Sequence, residues 1–389
     1  MNGILILMFI QTRNSFMEKR GLAIIYDPHN LYQFIWYYCS KDCNINKKWD
    51  ALCLPNGYKG EYMHEYCNRA NIFSTIIQNK TEYLNCSIIK KVTMFFMMFL
   101  HFIIGKRKIY CKKLLNKFVN IDDYDEIVII ASVGIVSGAC CSLGDEKKII
   151  ILEDSLNDYS ERRKFIEWKK ISSFYCWQGL ILAYMGYCSP GWYYLKTERF
   201  CIKYCHQPSL MKFHGYKELR QLFQDSKTNW EKFLLLIKRI YPEIEQVEFE
   251  KADAIVFTRP LSDFVIQPKP YKKKIEEFIS SNYKTILLKK HPREEEEYDF
   301  KKTKTVIIDN AVPAEVILPY LSKQDIVMIT PSGILISLPV YGLKCKIVDL
   351  KGLYEESKNQ NTLNTPMGIN ELKDYCNKFA YGSYEIITI

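Results

Sequence analysis

The run Thr285-Ile286-Leu287-Leu288-Lys289 decides the fold class of this sequence. It is short, apolar and bounded by polar segments, which is the pattern of a strand buried on both faces of a parallel sheet. Similar runs recur nearby, at Ala254–Thr258, Val306–Asp309, Ile326–Thr330 and Lys344–Asp349, with helical patterns between them at Tyr271–Ser280, Ala314–Ser322 and Ile334–Tyr341. This alternation predicts a doubly wound parallel sheet with helices on both faces.

The first part of the chain shows the same alternation. Its strand-like runs are Gly21–Tyr26, Ala51–Leu54, Ile72–Ile77, Glu126–Ser132 and Lys148–Leu152. Residues 156–250 differ, because Trp, Tyr, Lys and Leu recur there at helical spacing, and we expect a helical insertion or connector rather than more sheet. The sequence thus predicts two α/β, Rossmann-like domains, residues 1–250 and 251–389, that face each other across a cleft. A C-terminal helix can cross back to the first domain. Ligands of such sheets bind beyond the carboxyl ends of the strands.

Composition limits the class of protein and of partner. The chain has 389 residues, of which 48% are hydrophobic, enough for two cores. A net charge of +10 favours a polyanionic partner, whether nucleic acid, anionic lipid or acidic polysaccharide, although general solubility explains it equally well. The 14 cysteines form no Cys-x-x-Cys pair, so reduced cysteines in a cytoplasmic protein are expected.

Two apolar runs bear on membrane attachment. Residues 3–10 lack the features of a signal peptide. The stretch from Val92 to Ile104 is flanked by Lys90-Lys91 and Lys106-Arg107-Lys108, and it is shorter than a membrane-spanning helix requires. It is either a buried helix or an interfacial helix with basic flanks. We therefore expect a cytoplasmic chain, with peripheral contact to the inner face of the plasma membrane left open.

Adjacent carboxylates follow one of the predicted strands. Glu153 and Asp154 come directly after Lys148–Leu152, so they are expected at the rim of the cleft. Partial burial and a neighbouring like charge both raise the pKa of a carboxylate, as a general base requires. A solvated turn, with Asp154 or Ser155 capping the following helix, explains the same pattern.

A histidine follows the strand that opened this section. His291 can change its charge near neutral pH, and Pro292 biases its backbone toward an extended conformation. The cationic residues around His291 suit a phosphate ligand, although a surface histidine in a loop would give the same pattern.

A third strand end carries hydroxyl groups. Thr330, Ser332 and Gly333 follow the strand Ile326–Thr330 and precede a helical pattern. Backbone amides, hydroxyl and helix dipole would converge there on one phosphate. Simple helix capping by Ser332 is the alternative.

Taken together, these motifs resemble those of bacterial GT-B sialyltransferases, and most closely the capsular polysialyltransferases. Those families carry an acidic D/E-D/E-G motif, a His-Pro motif and a Ser/Thr motif in this order. Here Glu153-Asp154, His291-Pro292 and Thr330/Ser332 match them, over roughly residues 20–389. Ser155 departs from the pattern, because it stands where the family usually has glycine.

The resemblance implies an inverting transfer of sialic acid from CMP-sialic acid to a sialylated acceptor in capsule synthesis, without a metal or other cofactor. Glu153 would be the catalytic base, with Asp154 as the fallback, and His291 would donate to or hold the leaving phosphate. The implied nucleotide-binding residues are Thr258, Pro292, Glu315, Thr330, Ser332 and Gly333, where Glu315 would accept from the ribose hydroxyls and Ser332 and Gly333 would bind the phosphate.

One acidic motif typical of metal-dependent transferases is present but is predicted to lie elsewhere. Asp123-Tyr124-Asp125 precedes the strand Glu126–Ser132, so it falls at the amino end of the sheet, away from the cleft. Metal independence remains the prediction, with the charge of the leaving group neutralised by His291 and helix amides.

Basic clusters supply a place for an anionic acceptor. Arg162, Arg163 and Lys164 are the candidates for binding an oligosaccharide or polysaccharide, and Lys106, Arg107, Lys108, Lys112 and Lys113 form a second cluster; solvated helix faces explain both equally well.

The main alternative to a sialyltransferase is a GT-B enzyme of capsule or lipooligosaccharide synthesis that uses another nucleotide sugar. Nucleic-acid binding is not expected, because the sequence shows no helix-turn-helix, RRM or zinc signature.

Overall fold

The computed structural model describes residues 20–54, 62–79, 88–130, 134–154, 181–187, 196–211, 215–222, 229–263, 267–329, 334–349 and 385–389. Several residues singled out above fall outside these ranges, as do residues 156–180 of the segment predicted to be helical. They are Ser155, Arg162, Arg163, Lys164, Thr330, Ser332 and Gly333.

The first sheet is parallel and has the strand order β3-β2-β1-β4-β5-β6-β7. Its strands are β1 (Arg20–Ile25), β2 (Lys48–Cys53), β3 (Phe73–Gln78), β4 (Tyr124–Ile130), β5 (Lys148–Leu152), β6 (Ile202–Cys205) and β7 (Glu218–Gln221). The order 3-2-1-4-5-6 is that of a doubly wound Rossmann sheet, and β7 is added at its edge. The five predicted strands of this region are confirmed, with small shifts at their ends.

The expectation that residues 156–250 add no sheet is wrong. Strands β6 and β7 lie in this segment and continue the sheet beyond β5. Both strands have only four residues, and Lys203 interrupts the apolar run of β6 although it is fully buried. Its ammonium group donates a hydrogen bond to the carbonyl of Leu152 at 3.0 Å, so a charge that resembled a surface residue in fact joins two strands.

The second sheet is also parallel, in the order β10-β9-β8-β11-β12-β13. Its strands are β8 (Ala254–Phe257), β9 (Thr285–Lys289), β10 (Lys304–Ile308), β11 (Asp325–Met328), β12 (Lys346–Asp349) and β13 (Glu385–Thr388). The order again reverses between the first and fourth strands, here between β8 and β11. The five strands predicted here are confirmed, and β13 near the chain end was not predicted.

Helices connect the strands on both faces of the sheets. The α-helices in the described ranges are α1 (Pro28–Cys39), α2 (Met63–Ala70), α3 (Ile88–Ile103), α4 (Arg107–Leu115), α5 (Ile135–Cys141), α6 (Trp230–Ile240), α7 (Pro268–Asn282), α8 (Ala314–Ile317) and α9 (Ile334–Ser337). Helix α1 starts where its sequence dictates: Asp27 accepts the amide of Asn30 at 2.8 Å, and Pro28 occupies the first helical position.

The two halves of the chain pack directly on each other. Tyr32 of α1 and Tyr341 after α9 share a hydrogen bond of 2.9 Å between their hydroxyl groups. The ring of Trp230 lies 5.8 Å from that of Tyr341, and one hydrophobic core contains side chains from both sheets. Two doubly wound sheets that meet in this way have the GT-B architecture that the sequence predicted. The exact domain boundaries at residues 250 and 251 stay a prediction.

Helix α3 does not bury all of its apolar residues, contrary to the buried-helix alternative. Met98 is buried, whereas Val92, Phe96 and Ile103 are exposed. Among the residues that the structure describes, no helix has the length and apolar character needed to span a membrane.

Candidate active site

The two sheets deliver polar side chains from the carboxyl ends of their strands. Glu153 follows β5 and His206 follows β6 in the first sheet, whereas Thr258 follows β8 and His291 lies just beyond β9 in the second. Strands β5 and β6 are hydrogen-bonded neighbours, and so are β8 and β9. The topology therefore creates one pair of functional groups on each sheet, at the edge where doubly wound sheets bind ligands.

The first pair is Glu153 with His206. Only 2% of the surface of Glu153 is exposed, and its Oε2 accepts the backbone amide of His206 at 2.7 Å. The same oxygen lies 3.2 Å from the Nδ1 of His206, which is equally buried. His206 was missed in the sequence because it follows strand β6, which the pattern did not reveal.

Asp154 stands next to Glu153 and is less buried. Its backbone carbonyl lies 3.1 Å from the Nε2 of His29, a residue in the first turn of α1. The two candidates for the base therefore differ in their surroundings: Glu153 is buried against His206, whereas Asp154 is closer to solvent.

His29 links the two halves of the molecule. Its Nδ1 lies 3.4 Å from Oε1 of Glu315, which belongs to helix α8 of the second half. Both partners of the ring, a carbonyl and a carboxylate, are acceptors, so both nitrogens must carry protons. Burial opposes this charge, but the carboxylates of Glu315, Asp27 and Asp154 outweigh it and raise the pKa of His29 to about 10. His29 was not predicted as a site residue, and its partner lies nearly three hundred positions away in the sequence.

Glu315 lies at the start of a helix, as the sequence predicted. Burial alone would raise its pKa, but the charge of His29 and the hydrogen bond to it lower that pKa below its ordinary value. Glu315 is therefore an anion whose nearest counterion is His29. Its role as an acceptor for ribose hydroxyls stays a prediction.

The second pair of strand-end groups is Thr258 with His291. The amide of His291 donates to the hydroxyl of Thr258 at 3.4 Å, and the amide of Arg293 donates to the Nδ1 of His291 at 3.1 Å. Because Nδ1 is an acceptor, a neutral His291 carries its proton on Nε2. Pro292 is exposed between them.

Cations surround His291. Burial and the positive charges of Arg259, Arg293 and Lys289 lower the pKa of His291 to about 4, and the charge of Glu315 offsets this only in part. His291 is therefore neutral at physiological pH, and the cations around it form a positive region. Lys289 and Arg293 are among the cationic neighbours that the sequence showed around His291, and the structure adds Arg259 to them. A phosphate group is the natural ligand of such a region.

The Asp-Tyr-Asp motif lies at the amino end of the sheet, as expected. Residues 121–123 form a short 3₁₀ turn, and β4 starts at Tyr124. Asp125 binds the ammonium group of Lys47 at 3.1 Å, so it has a structural partner. Within the described ranges, no three His, Cys, Asp or Glu side chains gather in the manner of a metal site.

Comparisons with known proteins extend only to architecture. No protein-family model and no curated protein matches the sequence. Solved structures that resemble the chain include the spinosyn forosaminyltransferase SpnP (TM-score 0.45, 12% identity, 95% of this chain and 86% of that one). Another is Arabidopsis thaliana UGT89C1 complexed with UDP (TM-score 0.46, 12% identity, 95% and 86%). A third is the UDP-GlcNAc 2-epimerase from Methanocaldococcus jannaschii (TM-score 0.44, 11% identity, 93% and 91%). At these scores the likeness assigns neither activity nor substrate, and function has to be inferred from the site residues.

Proposed function

We propose that this chain is a GT-B glycosyltransferase that uses a nucleotide sugar, and more specifically an inverting sialyltransferase. In this proposal it transfers sialic acid from CMP-sialic acid to a hydroxyl group of a sialylated acceptor during the synthesis of a capsular polysaccharide. The observation that carries the proposal is that the strand ends of the two sheets bear opposite charges. Glu153 offers a carboxylate on one sheet, and His291 stands among Arg259, Arg293 and Lys289 on the other.

The chemistry assigned to each side follows from these charges. Glu153 would accept the proton of the acceptor hydroxyl while the oxygen of that hydroxyl forms a bond to the anomeric carbon of the sugar. The bond from that carbon to the phosphate oxygen breaks at the same time, and its electron pair stays on CMP. The configuration at the anomeric carbon is then inverted. Asp154 remains the fallback for the base, since Oε2 of Glu153 already accepts the backbone amide of His206 and lies next to its ring.

The state of His291 favours one of its two predicted roles. With a pKa lowered to about 4, His291 does not carry the extra proton that it would need to protonate a leaving group at neutral pH. A neutral ring with its proton on Nε2 can still donate a hydrogen bond to a phosphate oxygen. We therefore propose that His291 holds the phosphate while Arg259 and Arg293 neutralise the charge that develops on it. Ser332 and Gly333 are proposed to complete this phosphate site.

The acceptor side of the proposal rests on charge. An oligosaccharide of sialic acid carries one carboxylate per residue, and Arg162, Arg163 and Lys164 are the residues proposed to bind it. A cytoplasmic location belongs to the same proposal. No cofactor beyond the donor substrate is proposed.

A thermal-shift experiment separates the donor classes. CMP should raise the melting temperature of the protein more than UDP or GDP at equal concentration, because a ligand that binds the folded state stabilises it. Greater stabilisation by UDP would replace the sialyltransferase with a transferase that uses another nucleotide sugar. No stabilisation by any nucleotide would contradict the glycosyltransferase proposal as a whole.

Turnover with CMP-sialic acid, a labelled sialylated acceptor and EDTA then tests the chemistry. Glu153→Gln should abolish transfer while CMP still stabilises the protein, because the phosphate site lies on the other sheet. His291→Ala should weaken both. Normal turnover by Glu153→Gln together with loss in Asp154→Asn would assign the base to Asp154.

A further inference from the structure

Helix α3 carries an exposed apolar stripe. Val92, Phe96, Phe99 and Ile103 are spaced by four, three and four positions, so they lie on one face of the helix. Their exposed fractions are 60%, 62%, 42% and 62%, which is unusual for four large apolar side chains in a row. We call these four residues the α3 stripe.

The opposite side of α3 anchors the helix to the protein. Met98 is buried in the core of the first sheet, and Met94, Phe95 and Phe102 pack against the same core. The helix has 16 residues and is therefore about 24 Å long. It lies along the protein surface with one face in the core and the α3 stripe in solvent.

Other exposed apolar side chains lie on α4 and on a segment next to α3. Ile104 follows the helix, Ile109 belongs to α4, and Tyr184 belongs to a short helical segment nearby; all three are exposed. The ring of Tyr184 lies 6.3 Å from that of Phe102, which places this segment beside α3. Exposed apolar side chains are therefore present on three segments of the chain in this region.

Positive charge is concentrated in the same segment. Residues 88–121 contain eight Lys or Arg residues and no Asp or Glu, whereas the whole chain has a net charge of +10. Two of these cations contact acidic residues from elsewhere: Lys108 pairs with Asp145, and Lys112 lies 2.9 Å from Glu146. Lys106, Lys113 and Lys117 are exposed at the end of α3 and along α4.

We propose that the α3 stripe binds the surface of an anionic lipid bilayer. The apolar side chains would enter the boundary between headgroups and acyl chains, and the exposed lysines would contact the anionic headgroups. Charge complementarity favours this partner over a second copy of the chain, because two copies joined through the stripe would bring two strongly basic segments together. The inference is independent of the proposed donor and acceptor.

Vesicle co-sedimentation of the full chain tests this proposal. The protein should sediment with vesicles of phosphatidylglycerol and phosphatidylcholine and much less with phosphatidylcholine alone, and added salt should release it. The double variant Phe96→Ser/Ile103→Ser should reduce binding by about tenfold or more, since two large apolar groups no longer leave water. Leu235→Ser is the matched control, because Leu235 is an equally exposed apolar residue on helix α6, and it should leave binding unchanged.

Charge is tested separately with Lys106→Glu/Lys113→Glu, which should weaken binding only to the anionic vesicles. Lys273→Glu, on the exposed face of α7, is its control. Failure of the wild-type protein to bind either vesicle would overturn the proposal. So would a concentration-dependent dimer that the double serine variant abolishes, with no lipid binding, since the stripe would then be a contact between two copies.

Discussion

The ion pair between His29 and Glu315 allows a quantitative prediction for Glu315→Gln. This substitution keeps the shape of the side chain and removes the largest of the charges that hold His29 protonated. A rise in the pKa of His29 from 6.5 to about 10 corresponds to about 5 kcal/mol of preferential interaction with the protonated ring. The side chain of His29 is 27% exposed, so solvent screens part of this interaction, and about 2–4 kcal/mol is the realistic loss.

The pH dependence gives the prediction a sign. The folded-state pKa of His29 lies above its unfolded value, so the stabilisation is complete below about pH 6.5 and declines as the pH rises toward 10. The pKa of Glu315 is lowered in the folded state, so its share is lost when the protein is acidified below its ordinary value near 4.5. The difference in stability between wild type and Glu315→Gln should therefore be largest near pH 5–6.5.

The assay combines denaturant unfolding with NMR titration of histidine rings. Glu243→Gln is the control, because Glu243 pairs with Arg69 across 3.6 Å at the surface and should cost less than about 1 kcal/mol. In the wild-type protein the His29 ring should stay protonated through pH 8, and in Glu315→Gln its pKa should fall. A wild-type His29 that titrates near 6.5, or a stability difference that does not change between pH 6 and pH 10, would refute the reasoning.

Three further predictions concern the site and the core. His206→Ala should lower kcat about tenfold while leaving CMP binding intact, because it removes the ring that contacts Oε2 of Glu153. Alanine at the exposed His64 is the control, and an unchanged kcat in His206→Ala would deny His206 a positioning role. Gly21→Ala should destabilise the protein by about 1–3 kcal/mol, since the added methyl group would lie 2.5 Å from the ring of the buried Trp49. Thermal unfolding measures this, and a melting temperature equal to that of wild type would contradict the packing of Gly21 against Trp49. Glu126→Ala should lower the free energy of unfolding by about 3–5 kcal/mol near neutral pH, because the buried carboxylate accepts hydrogen bonds from Tyr37 and Lys47. The loss should be smaller in acid, since the pKa of Glu126 is lowered in the folded protein. An equal loss at pH 3 and pH 7 would argue against an ionised Glu126.

The elements with a local residue pattern could be predicted from the sequence. A strand buried on both faces of a parallel sheet has to be an apolar run, and ten of the thirteen strands in the described ranges were predicted from such runs. Because such strands end at one edge of their sheet, the positions of Glu153, Thr258, His291 and Glu315 near strand ends or helix starts also followed from local order. The chemical roles of these residues stay predictions.

Strand β6 marks the limit of local pattern. Lys203 is fully buried in it because its ammonium group reaches the carbonyl of Leu152 on the neighbouring strand. A partner supplied by another strand turns an unfavourable buried charge into a satisfied one, and no pattern within four residues can reveal that. His206 was not predicted as a site residue because this strand was not predicted.

Which charges meet and which apolar residues stay exposed depends on how the chain packs in three dimensions. His29 is protonated because the fold brings Glu315 from the other half of the chain to its ring. His291 is neutral because the fold buries it and places Arg259 beside it. Helix α3 reads as a buried or an interfacial helix in sequence, and its exposed stripe depends on how many of its faces the first sheet covers. A pKa and an exposed area depend on neighbours in space, and the order of residues along a chain fixes those neighbours only after the two sheets have packed together.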